Sequence, residues 1–146
     1  MSTGILIAIF VACIWGLNPI FEKISLNTAS PLSVITIRFV FTTCCLLIFV
    51  LATGRFHQVF SVDKMTLFWI LLSGVVGGMI GLFLYLTALK MDNASTIIPI
   101  IASFPMFTAI YAYFILKEEL SLTKIIGILF VVLGAILINW KSVIKV

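Results

Sequence analysis

Long apolar runs alternate with short polar segments along the chain. A helix needs roughly 20 apolar residues to cross a hydrocarbon core about 30 Å thick. Five runs approach or exceed that length, the last being somewhat short, and they cover residues 4–21, 31–52, 66–89, 94–116 and 125–140. The pattern predicts an all-α integral membrane protein, in which residues 1–146 form a single domain of five transmembrane helices.

The segments between the runs are too short to hold a soluble domain. They cover residues 22–30, 53–65, 90–93 and 117–124. Connections of this length join helices that lie side by side and antiparallel. Ser30 followed by Pro31 is typical of an N-cap and a first helical position, and it sets the start of the second helix. We therefore expect a compact bundle that crosses the cytoplasmic membrane several times.

The composition indicates that lipid is the solvent for most of this chain. Of its 146 residues, 63% are hydrophobic and 10% are charged, whereas soluble domains are about half apolar and a quarter charged. The formal net charge is +4. Because the charges lie mainly between the apolar runs, they are membrane anchors rather than a basic surface, and we expect no nucleic-acid partner.

The sequence offers little that is suited to catalysis or metal binding. Cys13, Cys44 and Cys45 lie in apolar runs without a metal-ligand spacing, so they are expected to behave as small hydrophobes. No nucleotide motif and no combination of nucleophile and base occurs within the runs. We predict no metal, no cofactor and no enzymatic activity.

The basic residues are balanced between the two ends of the predicted helices. The face that holds the N-terminus carries Arg55, Lys64, Lys117 and Lys124, and the opposite face carries Lys23, Lys90, Lys141 and Lys145. Basic loops stay on the cytoplasmic side, so a balance permits insertion in both orientations. The alternatives are dual topology and a single orientation selected by other signals.

Several polar residues of different helices lie at a similar predicted depth. At 1.5 Å per residue, Asn18 lies roughly 9 Å and Arg38 roughly 10 Å below the face opposite the N-terminus. Ser103, on the fourth helix, lies roughly 14 Å below the same face. Together with the aromatic residues Trp15 and Tyr111, these three are the candidate substrate-binding residues.

Arg38 is the one charge well inside a predicted span. Its long side chain allows the guanidinium to reach the interface and pair with Glu22. The alternative is that it faces a cavity and binds an anionic group. All acidic residues are predicted to border water, which disfavours a carboxylate proton relay at the membrane midplane.

Prolines interrupt the predicted first and fourth helices. A proline frees the carbonyl four residues earlier, so helix breaks are expected at Pro19, Pro99 and Pro105. In lipid, a freed carbonyl needs a neighbouring helix, a polar side chain or a cavity. Interrupted helices line binding sites in transporters, although kinks that only serve packing are also common.

Small and aromatic residues form stripes at helical spacing. The small residues are Gly4, Ala8, Ala12 and Gly16 in the first helix, and Gly74, Gly77, Gly78 and Gly81 in the third. These small residues predict close helix packing. The alternative is that the third helix slides during transport. The aromatic residues are Phe104, Phe107, Tyr111 and Phe114. They are expected to face lipid or neighbouring helices, or else to line a cavity.

Short motifs in this chain resemble the EamA-type branch of the drug/metabolite transporter superfamily. They are Ile14–Trp15–Gly16–Leu17–Asn18, Pro31 with Arg38–Phe39, Ala88–Leu89 with Ala94 and Ser95, Pro105, Lys117–Glu118–Glu119–Leu120, and Gly127 through Gly134. The resemblance covers nearly the whole chain, but the motifs are compositional. It therefore specifies the fold better than the substrate.

The resemblance implies a function and an assembly. Members usually carry two five-helix repeats in inverted orientation, and they export amino acids, drugs and other small metabolites. With one repeat, this chain is expected to work as a dimer by alternating access, and the balanced charges allow an antiparallel pair. Gly127, Gly134 and Ala135 are the candidate dimer interface. The alternative is an accessory membrane subunit that pairs with a second small EamA-type chain.

Overall fold

The computed structural model describes residues 3–140, and every regular element in that range is helical. The α-helices are α1 (Thr3–Leu26), α2 (Pro31–Ala52), α3 (Phe56–Phe60), α4 (Lys64–Ser73), α5 (Leu82–Met91), α6 (Ala94–Ile101), α7 (Phe104–Tyr111) and α8 (Leu122–Ile138). Two π-helical segments, Gly74–Gly81 and Ala112–Leu116, follow α4 and α7. For these residues the all-α prediction is confirmed.

Four of the helical stretches are long and apolar enough to span a membrane. They are Thr3–Leu26, Pro31–Ala52, Lys64–Met91 and Ala94–Leu116. The fifth predicted span corresponds to α8, which is apolar but has only 17 residues. The chain is thus a multi-pass membrane protein, with four full-length spans and one shorter apolar helix among the described residues.

The described residues divide between Met91 and Asp92 into two compact units. In the first unit, α1, α2 and α5 contact one another. Their contacts bury Leu26, Ile35, Leu86 and Leu89, and the last two are completely enclosed. Most other large apolar side chains are exposed, as expected for helices whose surroundings are lipid.

The first helix continues beyond the predicted end of the first span. The sequence prediction stopped at Phe21, because Glu22 and Lys23 are charged, but α1 runs to Leu26. Glu22 was expected in a connection that borders water, and this is wrong: it is a buried residue of α1. The charged residues remain in the helix because groups of other helices bind them, as described below.

The start of α2 agrees with the prediction from Ser30 and Pro31. Ser30 has an extended backbone, and its Oγ accepts a hydrogen bond from the Ser33 amide at 3.1 Å. Pro31 occupies the first helical position, where its missing N–H leaves no hydrogen bond unmade. The connection after α2 contains the short helix α3, which the sequence did not predict, with the Phe56 and Phe60 rings 4.8 Å apart.

The third span changes its helical form in the middle. Its α4 is capped by Asp63, whose carboxylate accepts hydrogen bonds from the Met65 and Thr66 amides at 3.0 and 3.1 Å. The π-helical segment Gly74–Gly81 contains four of the glycines singled out above. π-Helical turns are rare in proteins, and those that occur often lie at functional sites. A Cβ at Gly78 would lie 3.5 Å from the Phe39 ring of α2, so this glycine marks close helix packing, as predicted.

The glycine stripe of α1 has a different environment. An added Cβ at Gly4 or at Gly16 would meet no atom of another helix within 4 Å. Among the residues that the structure describes, Gly4 and Gly16 therefore make no close helix contact.

The second unit contains α6, α7 and α8, and α8 contacts both of the others. Ser121 caps α8 by accepting the Lys124 amide at 3.3 Å. At the other end, the buried Asn139 donates Nδ2–H to the Ala135 carbonyl at 2.9 Å. The Asn139 backbone amide donates to the same carbonyl at 3.3 Å, so the side chain and the backbone of this residue together cap the last turn of the helix.

Candidate functional site

The carboxylate of Glu22 is the meeting point of three helical spans in the first unit. Asn18, one turn earlier on α1, donates Nδ2–H to Glu22 Oε1 at 2.9 Å. Arg38 of α2 donates Nη1–H to the same oxygen and forms an ion pair with it. Tyr85 of α5 donates its hydroxyl to Oε2 at 2.7 Å. We call these four residues the Glu22 cluster.

Burial within the Glu22 cluster is strongly uneven. The Glu22 side chain is 6% exposed, whereas that of Arg38 is 39% exposed. A carboxylate removed from water is tolerated when a cation and hydrogen-bond donors replace its hydration. Glu22 has both, which explains how it can lie inside a membrane helix. The Arg38 side chain keeps a surface that its own chain does not cover.

Helical spacing in the sequence places two members of the Glu22 cluster on one face of α1. Trp15, Asn18 and Glu22 follow at intervals of three and four residues, so they share one face of α1. Tyr85 lies in α5, four residues beyond the end of the π-helical segment Gly74–Gly81. The Trp15 side chain is 72% exposed.

Two lysines connect α5 to the segments that flank the Glu22 cluster. Lys23 donates Nζ–H to the Leu89 carbonyl at 2.6 Å, and Lys90 donates Nζ–H to the Ala29 carbonyl at 2.9 Å. The Leu89 carbonyl belongs to the last turn of α5, where the helix itself supplies no donor. A cation there also interacts favourably with the helix dipole. These bonds fix α5 against α1 at the end of the helices where the cluster lies.

The structure therefore brings together two of the five candidate substrate-binding residues. Asn18 and Arg38, predicted at the same depth, share one oxygen of Glu22. The pairing of Arg38 with Glu22, one of two alternatives from the sequence, is formed. Trp15 lies on the same helix face as Asn18, and α1 continues through Pro19 without a break.

The other two candidate residues, Ser103 and Tyr111, belong to the second unit. The fourth span is interrupted at residues 102–103, between α6 and α7. Pro99 lies inside α6, and Pro105 lies in the first turn of α7. The Ile100 carbonyl accepts the Ser103 hydroxyl at 2.6 Å and the Ser103 amide at 3.2 Å, so the turn itself supplies hydrogen-bond partners at the interruption.

A groove of about 410 Å³ lies within the second unit. Its walls come from α7 and α8 and include Phe104, Pro105 and Gly127, while Glu118 and Lys124 lie at its polar end. Tyr111 lies outside this groove and lines a smaller one of about 290 Å³. Its ring and those of Phe104, Phe107 and Phe114 are exposed on this chain.

The three candidate dimer-interface residues have different environments on α8. An added Cβ at Gly127 or Gly134 would meet nothing within 4 Å. Ala135 is instead buried within the second unit. The described part of the chain therefore leaves space around the two glycines, and Gly127 also lines the larger groove of this unit.

Sequence reasoning named Glu22 only as one possible partner of Arg38, and it missed Tyr85. Glu22 was assigned to a polar connection, although its spacing from Asn18 was a signal, since residues four apart share a helix face. Tyr85 had no local signal, because its partner lies 63 positions away. Only the packing of α5 against α1 brings the two residues together.

Comparison with known proteins gives one family. The sequence model of the EamA-like transporter family matches residues 2–140. The chain is 28% identical over 139 residues to an uncharacterized protein of Methanocaldococcus jannaschii, covering 95% of this chain and 98% of that protein. It is 30% identical to protein LicB of Haemophilus influenzae over 138 residues, covering 92% of this chain and 46% of LicB.

A further relative is named as a transporter. An uncharacterized transporter of Clostridium kluyveri is 29% identical over 140 residues, covering 95% of this chain and 44% of that protein. The chain thus spans about half the length of this protein and of LicB, and nearly the whole length of the archaeal protein. No solved structure matches the chain.

Proposed function

Since this chain belongs to the EamA-like transporter family, we propose that it carries small metabolites across the cytoplasmic membrane, as an exporter or facilitator. The observation that carries the proposal is the Glu22 cluster. Buried ionisable residues in membrane helices are costly, and they occur mainly on substrate or ion pathways. Here an arginine, a carboxylate and two neutral donors converge, and the arginine remains partly open.

The transport path is proposed to need two copies of the chain. Two longer relatives are matched by this chain over 46% and 44% of their lengths, which is the relation expected between one repeat and a two-repeat transporter. Two copies in a homodimer would supply both halves, and alternating access would then arise from rocking of one copy against the other. Trp15, Asn18, Arg38, Ser103 and Tyr111 are the proposed substrate-contacting residues.

The two copies are proposed to lie antiparallel, because the sequence places equal numbers of basic residues on its two predicted faces. A compartment-specific reporter fused to the C-terminus should then give signal on both sides of the membrane. Two added lysines at one end should shift the population to one side. A single orientation of the unmodified chain would exclude the antiparallel homodimer.

Flux into liposomes tests the function directly. Liposomes that contain only the purified chain should take up at least one compound from a panel of amino acids and small organic ions. Flux that appears only after a second EamA-type chain is added would instead assign this chain the role of a partner subunit. Folded protein that gives no flux in either case would contradict the proposal.

A further inference from the structure

We infer that Glu22 is an internal ligand of Arg38, and that a carboxylate on the transported compound displaces it. This inference rests on the proposed function, and it names the chemical class of the substrate at the same site. The Glu22 cluster is then a closed form of an anion site, in which a side chain of the protein occupies the position of the substrate's carboxylate.

The first support is the incomplete use of the Arg38 guanidinium. An arginine has five N–H donors in a planar fork that matches a carboxylate. Among the residues that the structure describes, Arg38 uses one of them, on Glu22 Oε1. With 39% of its side chain uncovered, Arg38 can be approached by a second carboxylate, which then takes the place of Glu22, whereas a fully enclosed arginine could not be reached.

The second support is that Glu22 keeps partners when Arg38 is withdrawn. Asn18 still donates to Oε1 and Tyr85 still donates to Oε2. A buried carboxylate with no donor would be very costly, and these two bonds reduce that cost. Arg38, partly exposed and bound through one donor, is therefore the partner that exchanges, while Glu22 stays enclosed.

The surroundings favour a carboxylate that carries an apolar group. Arg38 already binds a carboxylate in this structure, so the competing group has the same geometry. Trp15 shares a helix face with Asn18 and Glu22 and is 72% exposed, which provides an apolar surface beside the polar cluster. Benzoate has both features, and benzyl alcohol is its uncharged counterpart of similar size.

Displacement predicts that the two members of the ion pair have opposite effects on binding. The apparent affinity of a ligand is reduced by the fraction of molecules in which its site is free. Removing the internal carboxylate by Glu22→Gln should therefore tighten benzoate binding by about tenfold, which corresponds to about 1.4 kcal/mol. Arg38→Gln removes the anion site and should weaken binding by at least that factor.

The test is isothermal titration of the purified full-length chain with benzoate, in detergent. Glu119→Gln is the matched control, since it also removes one negative charge but lies in the 117–121 connection, outside the Glu22 cluster. It should leave the affinity unchanged, and benzyl alcohol should bind none of the proteins.

Glu22→Asp and Arg38→Lys serve as conservative variants. The shorter carboxylate should give an affinity between wild type and Glu22→Gln, and the lysine should bind benzoate more weakly than wild type.

Three results would overturn the displacement. They are weaker binding in both Glu22→Gln and Arg38→Gln, equal tightening in Glu22→Gln and Glu119→Gln, and no benzoate binding by either wild type or Glu22→Gln. Binding is measured without transport, so the two proposals fail separately. The expected order of affinities without flux in liposomes would contradict transport alone, and flux with another order would contradict displacement alone.

Discussion

Arg38 and Glu22, sixteen positions apart, form the ion pair that joins α2 to α1. The pair is asymmetric, because Glu22 is enclosed and holds three hydrogen bonds, while Arg38 is partly open. In the membrane, this arrangement stabilises the contact between the helices and leaves a cation available to a ligand. The Glu22 cluster is therefore both a structural contact and the proposed anion site.

The hydroxyl of Tyr85 should contribute to stability through Glu22. Tyr85→Phe removes the bond to Oε2 and leaves a buried carboxylate oxygen without its donor, so we expect a loss of about 1 kcal/mol. Tyr113→Phe is the control, because Tyr113 is exposed and its hydroxyl bonds no other described residue. Thermal unfolding in detergent should separate the two variants, and equal melting temperatures would show that the bond contributes nothing.

The π-helical segment should respond differently to alanine at two of its glycines. A Cβ at Gly81 would lie 3.0 Å from the Val76 carbonyl oxygen, whereas a Cβ at Gly77 would meet nothing within 4 Å. Alanine is favoured over glycine in helices by roughly 1 kcal/mol, so Gly77→Ala should be neutral or stabilising. Gly81→Ala should be less stable than Gly77→Ala by about 1 kcal/mol, because the backbone must shift.

Unfolding midpoints in detergent provide this comparison. Hydrogen exchange of the 74–81 amides should also change in Gly81→Ala and not in Gly77→Ala. Equal stability of the two variants would mean that the segment tolerates a side chain at both positions.

The cap of α4 should give the stability a dependence on acidic pH. The Thr66 hydroxyl, donating at 2.5 Å, and then the Thr66 and Met65 amides lower the pKa of Asp63 below its ordinary value of 3.8. Since the folded pKa is the lower one, the stabilisation is complete above pH 3.8 and is lost as the pH falls through the folded value. Asp63→Ala should therefore be less stable than wild type at neutral pH, with a difference that shrinks in acid.

Asp63→Asn separates the charge from the cap, since asparagine also caps helices but does not titrate. Its stability relative to Asp63→Ala should not change with pH. The check is the melting temperature of the three proteins between pH 7 and pH 3. If the melting temperature of wild type exceeded that of Asp63→Ala by the same amount at pH 7 and at pH 3, the account of this cap would be contradicted.

Hydropathy predicted the bounds of two spans but not the end of α1. The predicted spans 31–52 and 94–116 agree with the helices and the π-helical turn found there. At Glu22 and Lys23 the prediction failed, because hydropathy assigns each residue a free-energy cost of transfer into the membrane without regard to its hydrogen-bond partners. Those partners, on α2 and α5, are specified by the packing of the helices and not by the local sequence.

The candidate site was predicted in part for the same reason. Depth along each helix placed Asn18 and Arg38 in one layer, and they do share a partner. Depth gives no information on helix rotation, so Tyr85 was missed. The π-helical form of residues 74–81 was also outside the reach of a pattern of period 3.6, although their glycines were noted.

The proposed dimer contact through α8 should depend on Gly134. Small residues let membrane helices approach closely, and leucine at a position open to a neighbour would keep two helices apart. Gly134→Leu should therefore weaken the dimer in detergent by about tenfold or more in dissociation constant. Gly16→Leu is the control, as Gly16 also has open space around it but lies on α1. An unchanged dimer in Gly134→Leu, measured by analytical ultracentrifugation, would place the contact elsewhere.

Flux through liposomes that contain mixtures of wild-type and Arg38→Gln chains tests the central claim most directly. If transport needs two copies that each contribute Arg38, the rate should fall as the square of the wild-type fraction, to about one quarter in an equal mixture. The total amount of protein is held constant, and the mixtures are checked to have the same melting temperature. Subunits are mixed before reconstitution. A rate that falls only in proportion, to about one half, would contradict the shared path, since each chain would then transport independently.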